Sequence, residues 1–215
     1  MYKKKALFVT FEGIEGSGKS YQCRKLDINL RKKNISVILT REPGGTKTAE
    51  KIRKVILEDY FYPDSKEKFS KYTDTLLYLA ARNEHVQNKI KPAISKKKII
   101  ICDRFVDSTI AYQVLANRVN KNLVNSVHKH ILGGIKPDLT FILKVKISKA
   151  LQRLKKRKIM NRYDKFSKNF YIKVQNAFIK LAKKNKKRYF VIDNSNDSKE
   201  TEKIILTKFM KVLNK

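Results

Sequence analysis

The stretch Gly13-Ile14-Glu15-Gly16-Ser17-Gly18-Lys19-Ser20 constrains this chain more than any other. It has the spacing G-x4-G-K-S. Upstream, Ala6-Leu7-Phe8-Val9-Thr10-Phe11 is an apolar run of β-favouring residues. Downstream, from Lys19 to about Lys33, Gly and Pro vanish and Leu26 and Leu30 recur four apart. Strand, glycine-rich turn and helix is the setting in which this spacing forms a phosphate-binding loop. Glycines let the backbone adopt positive φ, so that successive N–H groups point into one concavity. The helix opening near Lys19 adds its dipole and its free N–H donors. Lys19 is then the cation for the β- and γ-phosphates, and the Ser20 hydroxyl a ligand for Mg²⁺. The motif implies a bound nucleoside triphosphate, with Gly13 to Ser20 as its contacts.

Periodicity extends the pattern. Ile35–Thr40, Ile99–Asp103, Leu139–Val145 and Arg188–Ile192 read as further strands. Helices are expected over Thr48–Glu58, Tyr72–Ile90, Ser108–Leu132 with a break near Asn120, a basic helix capped by Ser148 and running through Lys158, the segment around Phe170–Leu181, and Thr201–Leu213. An aromatic, charged connection is expected through Pro63. Strands alternating with helices predict a three-layer α/β/α architecture, a five-stranded parallel sheet carrying the phosphate loop. Residues 1–215 are expected to form one domain. Ligands should gather at the carboxyl ends of the strands, where the phosphate loop, Arg41 and Asp103 all fall.

Asp103 ends a buried strand, the place of an acid that holds Mg²⁺ directly or through water. Arg104 follows it. An arginine there would repel a metal unless an anion sits between them, and a second phosphate group is the simplest such anion. Arg41 and Arg82 can converge on the same group. Tyr78 lies one turn before Arg82, so a ring on that face could stack on a base while the arginine reaches its phosphate. A phosphate acceptor is already anionic and needs cations rather than a general base. Glu12 and Glu15 are the carboxylates placed for a hydroxyl-seeking role. The basic run from Arg153 to Arg162 reads as a mobile cationic lid, over about 153–167, or as a solvated helix end.

Charge raises a rival. With 51 Lys+Arg against 19 Asp+Glu, the formal net charge is +32, which suits polyanionic partners. An ATP-dependent nucleic-acid-binding module would also need a basic stripe or aromatics interleaved with arginine. The lysines are instead dispersed, so no specific nucleic-acid partner is expected. The histidines lack metal-ligand spacing. Cys23 and Cys102 show none either, and both are expected as reduced core residues. The apolar run after Met1–Lys5 is too short for a signal sequence, and no segment approaches membrane-spanning length, so a cytoplasmic protein is expected.

At these residues the chain resembles the thymidylate kinase family, essentially from end to end. The blocks are Phe11 to Ser20, Thr40-Arg-Glu-Pro-Gly-Gly-Thr46, Leu76-Leu-Tyr-Leu-Ala-Ala-Arg82, Asp103-Arg-Phe105 continuing to Ser108-Thr-Ile-Ala-Tyr-Gln113, Pro137-Asp138-Leu139-Thr140, and Asn161-Arg162-Tyr163-Asp164 after the lid. The resemblance implies transfer of the ATP γ-phosphoryl to dTMP, giving dTDP for dTTP biosynthesis, with Mg²⁺, in a homodimer. It implies that Tyr78 stacks on thymine, that Arg82 and Gln113 or Thr109 address the base, and that Arg104 and Arg41 hold the acceptor phosphate. Ser108 belongs to the same substrate-facing block. Glu15 would face the sugar 3′-hydroxyl and Tyr112 would crowd the 2′ position. Some members carry an arginine in the phosphate loop where this chain has Gly16, and others supply it from the lid. Gly16 therefore gives Arg153 and Arg157 a catalytic reading. Two departures stand out: Val174-Gln-Asn-Ala-Phe178 where Val-Arg-x-Gly-Tyr is frequent, and Asn161 where an acid is common.

Overall fold

The apolar runs form five strands, β1 (Leu7–Glu12), β2 (Val37–Arg41), β3 (Ile99–Asp103), β4 (Leu139–Lys144) and β5 (Tyr189–Asp193), in a computed structural model that describes residues 6–58, 68–157, 162–196 and 199–214. The connection through Pro63 and positions 158–161 of the expected lid lie outside these residues. The strands are all parallel and lie in the order β2-β3-β1-β4-β5. β1, carrying the phosphate loop at its carboxyl end, is therefore central. It pairs with β3 on one side, placing Phe11 opposite Asp103, and with β4 on the other.

Side chains alternate across the sheet with the period of two that a strand imposes. Val9, Phe11, Ile101, Phe141 and Leu143 face one layer, packed against Leu26 and Leu30 of α1 (Lys19–Arg31) and Ile205 and Phe209 of α9 (Lys199–Leu213). Phe8, Ile100 and Cys102 face the other, beneath Leu79 of α3 (Lys71–His85) and Ala93 of α4 (Lys91–Ser95). Further along the same face, Ile142 meets Tyr171, Val174 and Phe178 of α8 (Lys168–Lys184). Each fully buried aromatic is worth about 1.5–3 kcal/mol relative to exposure. Thr10 and Thr140 are buried polar residues of adjacent strands, and they bond each other, Oγ1 to Oγ1, at 2.8 Å. Both cysteines are free and buried.

α2 (Lys47–Glu58) follows β2. α3 runs on through one π-helical turn, Val86–Ile90, into α4. α5 (Val106–Thr109) continues as a second π segment, Ile110–Ala116, and then breaks before α6 (Lys121–Leu132), which Asn120 caps. α7 (Ile147–Lys155) departs from expectation. Its N-cap is Lys146, without a side-chain cap, and Ser148 falls inside the first turn. The Lys146 amide is instead taken by Ser195 Oγ at 2.9 Å, a partner from beyond β5 that local sequence does not display. α7 also stops at Lys155, short of the expected Lys158.

Candidate active site

The phosphate loop closes on itself through the Ser17 amide, which donates to the Ile14 carbonyl at 3.2 Å. Gly16 has φ of 72°, and a Cβ there would lie 2.5 Å from the Ala150 carbonyl oxygen. No side chain fits at that position, so an arginine within the loop is sterically barred. Two groups brace the loop from outside. Arg153 on α7 donates to the Gly16 carbonyl at 2.9 Å and to the Asn194 carbonyl at 2.8 Å. Asn194 donates its side-chain amide to the Ser17 carbonyl at 2.7 Å. Arg153 thus lies against the outer wall of the phosphate loop.

Lys19 folds back over the loop, its Nζ donating to the Ile14 carbonyl at 2.7 Å and reaching Ser17 Oγ at 3.4 Å. Burial, and then the nearby Arg104 charge, lower its pKa to about 8. An arriving phosphate would reverse that penalty by supplying the opposite charge. Beside it Ser20 Oγ donates to Asp103 Oδ2. The other carboxylate oxygen, Asp103 Oδ1, is buried and has no hydrogen-bond partner among the described residues. An anionic oxygen left over next to a hydroxyl, at the mouth of the phosphate loop, fits a divalent cation such as Mg²⁺.

The adjoining cavity is lined by Glu15, Lys19, Ser20, Arg41, Tyr78, Arg82, Asp103 and Arg104, together with Ser108, Thr109, Tyr112, Gln113 and Arg157. Every residue expected at the acceptor is therefore present at one cavity. Their roles differ. Arg104 adopts φ of 70°, a left-handed conformation rare for a side chain of this size, held by its amide donating to the Phe11 carbonyl at 2.9 Å. Its guanidinium reaches the Gly13 carbonyl at 2.9 Å, Glu15 Oε1 at 2.7 Å and Ser108 Oγ at 3.1 Å. It also lies 5.2 Å over the Tyr112 ring. Tyr112 hydroxyl donates to Glu15 Oε2 at 2.5 Å, and burial pushes that phenol well up. Glu15, Arg104 and Tyr112 thus form one rigid wedge between the phosphate loop and the cavity.

Arg82 is turned inward. Its Nε donates to Glu42 Oε2 at 2.8 Å, one Nη to Thr109 Oγ1 at 2.7 Å, and the other Nη to the Phe105 carbonyl at 3.0 Å. Glu42 also holds His85 Nδ1 at 2.9 Å, and His85 Nε2 meets Thr40 Oγ1 at 2.7 Å. His128 Nε2 accepts from Arg82 at 2.8 Å; burial and then the Arg82 charge bring its pKa down to about 3, so it is neutral. The Arg-Glu-Pro block of the sequence thus acts through its glutamate as an anchor for Arg82. Gln113, also buried, makes no side-chain hydrogen bond among the described residues, and it lines the cavity. Arg41 is 54% exposed in its side chain and pairs with Glu50 at 3.0 Å. Arg157 lines the cavity and donates to Asp164 Oδ1 at 2.8 Å.

Glu12 does not face the cavity, contrary to the hydroxyl-seeking role considered for it. Its carboxyl is fully buried, accepting from the Phe105 amide at 2.7 Å and from Ser108 Oγ at 2.6 Å. Sequence reading missed Arg53, Glu42 and Tyr163, which line the cavity too. Arg53 donates to the Pro43 carbonyl at 2.7 Å. A cation lying beside Ala49 and Ile56, on the buried side of α2, was its available signal.

The family described as thymidylate kinase matches residues 11–205. A thymidylate kinase of Mycoplasma capricolum subsp. capricolum is 42% identical over 194 residues, 89% of this chain and 88% of that protein. One from Rickettsia bellii is 39% identical over 210 residues, covering 98% of each. The crystal structure of thymidylate kinase from Ehrlichia chaffeensis superposes with a TM-score of 0.72 at 33% identity, covering 97% of this chain and 99% of that one.

Proposed function

The chain belongs to the thymidylate kinase family, and from that premise we propose how its own residues carry the reaction. The reaction transfers the γ-phosphoryl group of ATP to dTMP, giving dTDP. A dTMP phosphate oxygen forms the new bond to the γ-phosphorus as the bond to the β–γ bridging oxygen breaks, leaving ADP. The acceptor oxygen is anionic at neutral pH and needs no base. What the site must supply is cations that let two anions approach.

The observation that carries the reading is the Glu15–Arg104–Tyr112 wedge beside Lys19. Arg104 holds the acceptor phosphate from its strained, partly buried position, with Arg41 and Arg53 lining the same cavity. Lys19 and the amides of residues 13–20 hold the donor. Ser20 and Asp103 would hold Mg²⁺, which when bound neutralises charge on the β- and γ-phosphates. Tyr78 stacks on the thymine ring. Gln113 addresses the base edge, because its amide makes no hydrogen bond among the described residues, whereas Arg82 is spent on Glu42 and acts by fixing Thr109. Glu15 meets the sugar 3′-hydroxyl, and Tyr112, pinned by Glu15, crowds a 2′-hydroxyl. Arg157 belongs to a cationic lid over about 153–167 and supplies charge to the transition state.

The protein works as a homodimer in the cytoplasm. Exposed apolar residues support the first point: Tyr72 and Leu76 one turn apart on α3, with Leu123 on the neighbouring α6. Two free buried thiols accord with a reducing compartment. Among the described residues no helix is long and apolar enough to cross a membrane.

The test is a coupled assay with ATP and Mg²⁺ against a panel of nucleoside monophosphates. dTMP should be the best acceptor and dUMP poorer, with thymidine not phosphorylated. Equal turnover of dTMP and dCMP, or efficient use of thymidine, refutes the roles given to Tyr78 and Gln113.

A further inference from the structure

A second, wider groove opens on the far side of Asp103 from the acceptor cavity, between α1, the end of β2 and α2. It measures about 860 Å³ against about 180 Å³ for the acceptor cavity. Six cationic side chains line it: Arg24, Arg41, Lys47, Lys51, Lys54 and Lys89. The acidic residues there are Glu50, which Arg41 already neutralises at 3.0 Å, and Asp103, whose Oδ2 is taken by Ser20. Lys89 is partly engaged, donating to the Gly45 carbonyl at 2.8 Å. Arg24, Lys47, Lys51 and Lys54 are exposed and have no carboxylate within ion-pairing distance among the described residues. Three of them stand on one face of α2 at positions i, i+4 and i+7, so a linear anion lying along that helix meets a cation at every turn.

Such a concentration of uncompensated like charge in a groove raises the local density of anions. Its lining selects among them. Among the described residues no aromatic side chain lines the groove, and single-stranded nucleic acid is held by stacking platforms as well as by charge. Among the described residues the apolar side chains of the walls are Cys23 and Leu39, a small surface for a base or an acyl chain. The inner end is Ser20 and Asp103, at the outer edge of the phosphate loop. We propose that this groove is a binding site for linear condensed phosphate, tripolyphosphate or longer, separate from the nucleotide phosphates held by the loop.

Inorganic tripolyphosphate should bind the full-length chain saturably, at one equivalent, by titration calorimetry while the phosphate loop is filled with a non-hydrolysable ATP analogue. The triple variant K47Q/K51Q/K54Q should weaken that binding by about tenfold or more, because phosphate contacts and their counterion release are lost. The variant K183Q/K184Q/K187Q removes the same charge from exposed lysines at the end of α8 and the turn after it. It should change affinity less than about twofold. The site is refuted if filling the loop abolishes binding, if no saturable binding occurs, or if the two triple variants weaken it equally. It is also refuted if oligo(dT) of equal charge binds at least as tightly with the same dependence on Lys47, Lys51 and Lys54. That result would make the groove a nucleic-acid surface.

Discussion

Asn194, one residue past β5, donates its side-chain amide to the carbonyl of Ser17 at 2.7 Å, while its own carbonyl accepts from Arg153 at 2.8 Å. With Arg153 on the Gly16 carbonyl, two successive loop carbonyls are tied outward. A peptide unit whose C=O is held outward directs its N–H inward, so the clamp fixes the donors that meet phosphate. A neutral hydrogen bond of this kind contributes about 0.5–1.5 kcal/mol. Asn194→Ala should therefore raise the KM for ATP roughly two- to tenfold and leave the KM for dTMP unchanged. A fall in Tm with no change in the ATP constant would make Asn194 a packing residue only.

Glu12 makes a prediction about pH. Burial first, and then the nearby Asp107 carboxylate, raise its pKa from 4.5 to about 8. Arg104 and the Ser108 hydroxyl oppose the shift, while Asp107 itself is tied to Arg188 and Tyr189. A carboxyl with a higher pKa in the folded state holds its proton more tightly there than in the unfolded chain. Its contribution is complete below pH 4.5 and falls as the pH rises towards about 8. Glu12→Gln, which keeps the shape of the protonated acid, should flatten that decline, worth on the order of a few kcal/mol, and match or exceed the parent stability at the alkaline end. Denaturant titrations across this range measure it. Parallel curves for the two proteins would mean that Glu12 stays ionised in the fold.

The Glu42 anchor predicts a coupling. Arg82 and Glu42 are both almost wholly buried, so removing one charge strands the other. Glu42→Gln should cost about 3–5 kcal/mol. Exchanging Arg82 for Met in the same protein should recover part of this, since the stranded cation is gone. If the double variant is as unstable as the sum of the single ones, Glu42 and Arg82 do not act as a pair.

How far these features could be read in the sequence depended on whether their cause was local. The phosphate loop, its flanking strand and helix and the carboxyl-end position of Asp103 follow from spacing and apolar periodicity within a few residues. Arg82 and Tyr78 were found together because one helical turn separates them. The partners that turn Arg82 inward come from Glu42, Thr109 and His128, set by how β2, α3, α5 and α6 pack, and no short-range pattern carries that. The same holds for Arg153. Its charge and its place in a basic helix were visible, but its contact with Gly16 needs the exit of β5 and the start of α7 to meet. Ser148 misled for a related reason: good cap chemistry close to a helix start does not decide where the strand before it lets the helix begin.

The last prediction concerns Arg157. Since a Cβ at Gly16 would strike the Ala150 carbonyl at 2.5 Å, an arginine that meets charge developing between donor and acceptor has to come from outside that position. Arg153 is engaged on the outer wall of the loop, whereas Arg157 lines the acceptor cavity, oriented by the buried Asp164 at 2.8 Å. An arginine supplied to a phosphoryl-transfer transition state can be worth about 10³–10⁵ in rate. Arg157→Ala should accordingly lower kcat far more than it raises the KM for dTMP, the signature of an interaction made mainly in the transition state. Asp164→Asn, which loosens the guanidinium without removing it, should give a smaller loss in kcat in the same direction. Arg153→Ala should be milder and act on the ATP constant, like Asn194→Ala. Single-turnover rates for Arg157→Ala equal to the parent would leave Lys19, Arg104 and the metal to stabilise the transferring group without it.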